Sequence, residues 1–145
     1  MKQTTATTYS IAFFGFLLAA GCGPTSKEAS TEQSTGFAMD LSTEDFSKYS
    51  TDSTCILLDV RTDEEFQSGH IPGALMIDYY AENFAERIST LDKAKTIYIY
   101  CRSGGRSGRA MKIMQEQGFD RLYNLDGGIK AWTGAGRAVS YPDQP

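Results

Sequence analysis

The stretch TIYIYCRSGGRSGRAMKIMQEQG, Thr96 to Gly118, decides the fold. Its opening run, TIYIY, joins β-branched and aromatic residues as a strand buried on both faces does. A cysteine then begins a loop of arginines, serines and glycines. Beyond it, Met111, Ile113 and Met114 fall at helical spacing, and Gly118 marks the helix end. Strand, glycine loop and helix in succession form the βα unit of an α/β protein. In such folds chemistry gathers at the carboxyl ends of strands, and Cys101 occupies one such end.

The same alternation extends in both directions. FAMDL (37–41) reads as a short strand, and Ser42 as the cap of a helix running toward Tyr49, with Asp45 in its first turn. TCILLDV (54–60) is a second continuous apolar run. Thr62 followed by Glu65 forms a capping box for a helix that Gly69 keeps short. Pro72-Gly73 makes a turn before another short strand, and Tyr80, Phe84, Ile88 and Leu91 predict an amphipathic helix. RLYNL (121–125) is the last strand, and GGIKAW (127–132) opens a final helical turn. The pattern predicts a mostly parallel central sheet of about five strands with helices on both faces.

The chain has 145 residues and a formal net charge of −4, which fits one acidic domain and argues against nonspecific nucleic-acid binding. Arg102, Arg106 and Arg109 form a local basic island and suggest an anion site. The three cysteines, Cys22, Cys55 and Cys101, show no CxxC pairing, and His70 is the only histidine. That inventory is too poor for a structural metal site, and none is expected.

Residues 1–21 read as an export signal: Lys2, then the apolar core IAFFGFLLAA, which is too short to span a bilayer as a mature helix. AAGC (19–22) resembles the lipobox of bacterial lipoproteins, which implies lipidation of Cys22 and a lipid anchor to the membrane; the alternative is simple secretion as a soluble periplasmic protein. Residues 22–36 hold no large apolar side chain and read as a polar tether. The domain is expected to span 37–145, at the periplasmic face of a bacterial membrane.

The chemistry is expected in the loop. Gly104 and Gly105 permit positive φ, so successive amides can turn inward around an anion. Ser107 is the expected N-cap of the following helix, whose N-terminus favours a thiolate. Arg102 and Arg106 add positive charge, so Cys101 is expected to titrate below an ordinary thiol. His70 is expected to order its own loop rather than to pair with the thiol. No Gly-Lys-Ser/Thr follows the glycines, which excludes a Walker A loop. Cysteine phosphatases place an arginine six residues after the cysteine; here that residue is Ser107, and Arg106 comes one place early.

Three segments together resemble the single-domain rhodaneses. LLDVRTDEEFQSGHIPGALMI (57–77) is similar to the family's N-terminal signature, CRSGGRS (101–107) to its active loop, and LDGGIKAW (125–132) to its C-terminal signature. The resemblance implies a rhodanese-like three-layer α/β fold and a sulfurtransferase without cofactor. Cys101 would be the catalytic nucleophile, taking a sulfane sulfur from a small anionic donor such as thiosulfate. It would hold that sulfur as a persulfide within Arg102, Ser103, Gly104, Gly105 and Arg106, and pass it to cyanide or to a thiol or thioredoxin-like acceptor. Asp59 and Arg61, with His70 and Ser107, would be framework residues. The alternative is a rhodanese-fold module that binds partners without turnover; an intact loop cysteine favours the enzyme. Cys55 reads as a packing residue of its strand, Trp132 as core, and Arg109 as solvent-facing.

Overall fold

The computed structural model describes residues 36–48 and 54–142. The expected signal sequence, Cys22 and the tether as far as residue 35 lie outside the described residues. The apolar runs form strands where their side chains alternate between two buried surfaces. The elements in order are β1 (Phe37–Leu41), α1 (Thr43–Phe46), β2 (Cys55–Asp59), α2 (Asp63–Gln67) and β3 (Leu75–Met76). There follow α3 (Phe84–Ser89), β4 (Thr96–Tyr100), α4 (Gly105–Glu116), β5 (Arg121–Leu125) and α5 (Gly128–Gly134).

The five strands make one sheet in the order β1-β5-β4-β2-β3, and every neighbouring pair is parallel. The period of two along each strand sends alternate residues to opposite faces. Leu58, Val60, Ile97, Ile99 and Leu122 meet Phe84 and Ile88 of α3 and Ala110 and Met114 of α4 on one face. On the other, Leu57, Tyr100 and Leu125 meet Phe46 of α1 and Ile129 and Trp132 of α5. Phe46 sets its edge against Tyr98 and Trp132, with ring centroids 5.4 and 6.3 Å away. Burying each such side chain stabilises by roughly 1.5–3 kcal/mol. The three-layer α/β arrangement expected from the sequence is therefore present, with β4 in the middle of the sheet and Cys101 directly at its carboxyl end.

Several helices differ from their sequence reading. Ser42 caps α1 by accepting from the Asp45 amide, but the helix ends at Phe46; Tyr49 lies outside the described residues. Thr62 and Glu65 form the full capping box of α2. The spacing puts Tyr80 on one helix with Phe84, yet it is 64% exposed and α3 starts only at Phe84. The reason is local: the Asp78 carboxylate accepts from the Tyr80 amide, and successive turns carry the chain from Asp78 to Phe84. Gly118, at φ +85°, follows α4 as expected.

At its other end α4 departs from expectation, because Ser107 is not the N-cap. Gly104 takes that place at φ +92°, and Ser107 lies in the first turn, fully buried. A left-handed glycine at the cap lets the helix begin inside the loop rather than after it.

Candidate active site

Cys101 is 1% exposed, so its sulfur depends on protein groups for solvation. The Gly104 amide donates to Sγ at 3.2 Å. Burial is the largest single influence and pushes the thiol up. It is outweighed by hydrogen bonds from the Ser107 hydroxyl and from the amides of Ser107, Ser103 and Gly104, which together bring Cys101 below its ordinary value. The Ser107 hydroxyl also lies 3.1 Å from the Gly104 carbonyl. It has one proton to give, and an anionic sulfur is the stronger acceptor.

Two elements hold this loop from behind. The Ile129 and Lys130 amides of α5 donate to the carbonyls of Cys101 (2.9 Å) and Arg102 (3.2 Å). Gly128 permits that approach: a Cβ there would stand 2.4 Å from the Cys101 carbonyl oxygen, at φ +58°. Asn124, buried on β5, donates to Asp40 of β1 at 2.7 Å and reaches the Gly104 carbonyl at 3.4 Å.

Arg106 makes the contact that sequence reading missed. Its guanidinium donates to both oxygens of Glu65, at 2.6 and 2.7 Å. Glu65 is held in turn by the Thr62 amide, and the Tyr80 ring lies 5.5 Å from the guanidinium carbon. The Arg106 hydrogen bond draws the Glu65 carboxyl down to about 2, against the opposing effect of burial. Arg106 was expected to lend positive charge to the loop; a carboxylate instead neutralises it. Arg102, Ser103 and Gly105 are exposed and form the open mouth. Arg109 is also exposed, with its guanidinium carbon 5.5 Å from the Tyr79 ring centroid.

The remaining expected framework residues gather one segment away. Asp59 and Arg61 form a buried bidentate pair, Arg61 Nε donating to Oδ1 at 3.0 Å and its Nη2 to Oδ2 at 2.7 Å. Arg61 donates onward to the Gly69 carbonyl at 2.8 Å. The Ile71 amide donates to the Tyr100 hydroxyl at 3.1 Å, which ties this segment to the residue before Cys101. Burial pushes the Tyr100 phenol far above its ordinary value, so it stays neutral as that acceptor. His70 stacks on Phe66 at 3.9 Å and exchanges backbone hydrogen bonds with Ser140. The bonds of Asp59, Arg61 and His70 thus brace residues 69–71; Ser107 alone of the four stands against the sulfur.

Cys55 pairs with Thr96 at the opening of β4, five positions before Cys101. At ~3.3 Å per residue, the backbone positions of Cys55 and Cys101 lie about 16 Å apart along the sheet. Among the described residues no three His, Cys, Asp or Glu side chains are grouped to hold a metal ion.

The family model described as "Rhodanese-like domain" matches residues 42–135. A protein of Allochromatium vinosum named "Sulfurtransferase" is 39% identical over 88 residues, covering 61% of this chain and 80% of that protein. A "Thiosulfate sulfurtransferase GlpE" of Shewanella oneidensis is 38% identical over 76 residues, covering 52% of this chain and 73% of that protein. The crystal structure of a rhodanese-like domain protein from Staphylococcus aureus superposes with a TM-score of 0.61 at 26% identity, covering 72% of this chain and 99% of that one.

Proposed function

The chain belongs to the rhodanese-like domain family, and we propose that it is a sulfurtransferase whose carrier is a persulfide on Cys101. The observation that supports this best is a buried sulfur at a strand end with the Gly104 amide donating to it at 3.2 Å. The Cys101 thiolate attacks the outer sulfur of a donor such as thiosulfate. The sulfur–sulfur bond of the donor breaks, sulfite leaves with the bonding pair, and Cys101 keeps one added sulfur. The loop amides of residues 102–106 then face the terminal persulfide sulfur as donors face an oxyanion. A nucleophile, cyanide or a thiol such as that of a thioredoxin-like protein, takes that sulfur and restores the thiolate. Two half-reactions through one covalent carrier give ping-pong kinetics.

In this reading Arg102, exposed at the mouth, draws in an anionic donor. Asp59, Arg61 and His70 are positioning residues, acting through segment 69–71 and Tyr100. Cys55 lies too far away to serve as a resolving thiol, so the acceptor is a separate molecule. Export and lipidation at Cys22 are proposed from residues 11–22 alone; loss of metabolic labelling with a fatty acid in Cys22→Ser would support them.

A thiosulfate:cyanide assay tests the main reading. Cys101→Ser is expected to abolish turnover while leaving circular dichroism and melting unchanged, and intact-mass measurement is expected to find one added sulfur on the wild-type protein after thiosulfate. A protein that never gains sulfur while still folding would instead favour the partner-binding module. Turnover of a phosphoester without turnover of thiosulfate would reassign the site to phosphoryl chemistry.

A further inference from the structure

The sulfur-transfer reading leaves the class of donor open, and the ion pair beside the loop bears on it. Arg106 is the cation within the loop that the fold buries: its side chain is 12% exposed, and that of its partner Glu65 is 28% exposed. The pair is bidentate, Thr62 fixes the carboxylate, and the Tyr80 ring lies beside the guanidinium. A partly buried pair held from three sides is not a fleeting surface contact. The guanidinium is raised chiefly by its Glu65 hydrogen bond, against burial, and the charge of Cys101 adds to the rise. Arg106 stands in the first turn of α4, two residues beyond the Gly104 amide that donates to the sulfur, so its charge acts on the reacting end. Among the described residues Arg102 and Arg109 have no carboxylate partner; both are exposed, so they can steer an anion to the mouth but solvent weakens their hold on its charge at the sulfur.

We propose that Glu65 is a specificity-determining residue: by cancelling the charge of Arg106 it disfavours the thiosulfate dianion and favours donors with little charge at the reacting end, namely organic persulfides. The inference rests on the sulfur-transfer reading above. The step is balanced without a further reactant. The Cys101 thiolate attacks the terminal sulfur of R–S–SH, the donor's sulfur–sulfur bond breaks, and RS⁻ leaves with the bonding pair. Cys101–S–SH remains, with the proton still on the transferred sulfur. No dianion is needed at any point, in contrast to thiosulfate, which enters as a dianion and releases sulfite as another.

The two ends of the ion pair make a test that a purely structural role fails. Thiosulfate and glutathione persulfide would be compared as donors to the full chain by kcat/KM, with peptide mass spectrometry confirming the added sulfur on Cys101. Glu65→Gln keeps a side chain suited to the capping box and frees one positive charge. It is expected to raise the thiosulfate-to-persulfide ratio by about fivefold, the scale of one unit charge acting through partly exposed protein. Arg106→Gln leaves Glu65 unpaired and is expected to lower the ratio by a similar factor. If the pair only stiffens the loop, both variants lose activity with both donors and the ratio stays fixed or moves the same way, which would overturn the assignment. Failure of both donors to load sulfur on wild-type Cys101 would overturn the sulfur-transfer reading, and loading by thiosulfate alone would overturn this inference while leaving that reading in place.

Discussion

At the scale of single residues, the sulfur of Cys101 is governed by neighbours that the sequence displays only in part. The glycines and Ser107 were legible as loop chemistry because they adjoin the cysteine. The role of Ser107 was not, since moving the cap to Gly104 turns a capping hydroxyl into a sulfur ligand. Ser107→Ala is expected to raise the Cys101 pKa, because a hydrogen bond that favours the thiolate is lost. The pH profile of alkylation at Cys101 checks this. The Gly104 carbonyl keeps the Gly108 amide at 2.9 Å, so the effect falls on the sulfur rather than on the loop. The Glu65–Arg106 pair was invisible in the sequence because its partners are 41 positions apart, although each was noticed for a local reason. The Glu65 carboxyl is drawn down from 4.5 to about 2. A depressed carboxyl stabilises the folded state fully above its unfolded value and loses that contribution as pH falls through the folded one. Glu65→Gln is therefore expected to be less stable than wild type at neutral pH, and urea titrations of the two proteins should converge between about pH 4.5 and pH 2.

At the scale of elements, strands were easier to read than helices. TIYIY and RLYNL match β4 and β5 residue for residue, and in TIYIY burial on both faces leaves a nearly continuous apolar run. The helix expected from Tyr80 failed because an Asp78 turn, a side-chain effect on the backbone, overrode the spacing of its aromatic residues. The GG doublet before α5 was read as a helix opening, and its second glycine also lets α5 press its amides onto the sulfur loop. Gly128→Ala is expected to cost at least ~1–2 kcal/mol for the left-handed backbone alone. Displacement of the Cys101 carbonyl adds to that, and both sulfur loading and melting temperature should fall. Gly134→Ala, in the same helix with open space around the added carbon, is the control and should be neutral or slightly stabilising.

At the scale of the whole molecule, alternation of strands and helices was enough to anticipate a parallel three-layer α/β architecture. Strand order was not, since the pairing of β1 with β5 rests on contacts 84 positions apart, such as Asp40 with Asn124. That order decides what the cysteines can do. Cys55 and Cys101 lie at opposite ends of adjacent strands, well beyond the ~7 Å Cα separation a disulfide tolerates. Treating the folded protein with diamide is expected to give no bond between Cys55 and Cys101 on non-reducing peptide maps; such a bond would mean that the sheet had opened. The antiparallel bridge from His70 to Ser140 works at the same scale. Synthesis runs from the N-terminus, so every residue of the cysteine loop is translated before Ser140. The brace around residues 69–71 is thus completed by nearly the last part of the domain to be made, and a product released early carries every loop residue while that brace stays unlatched.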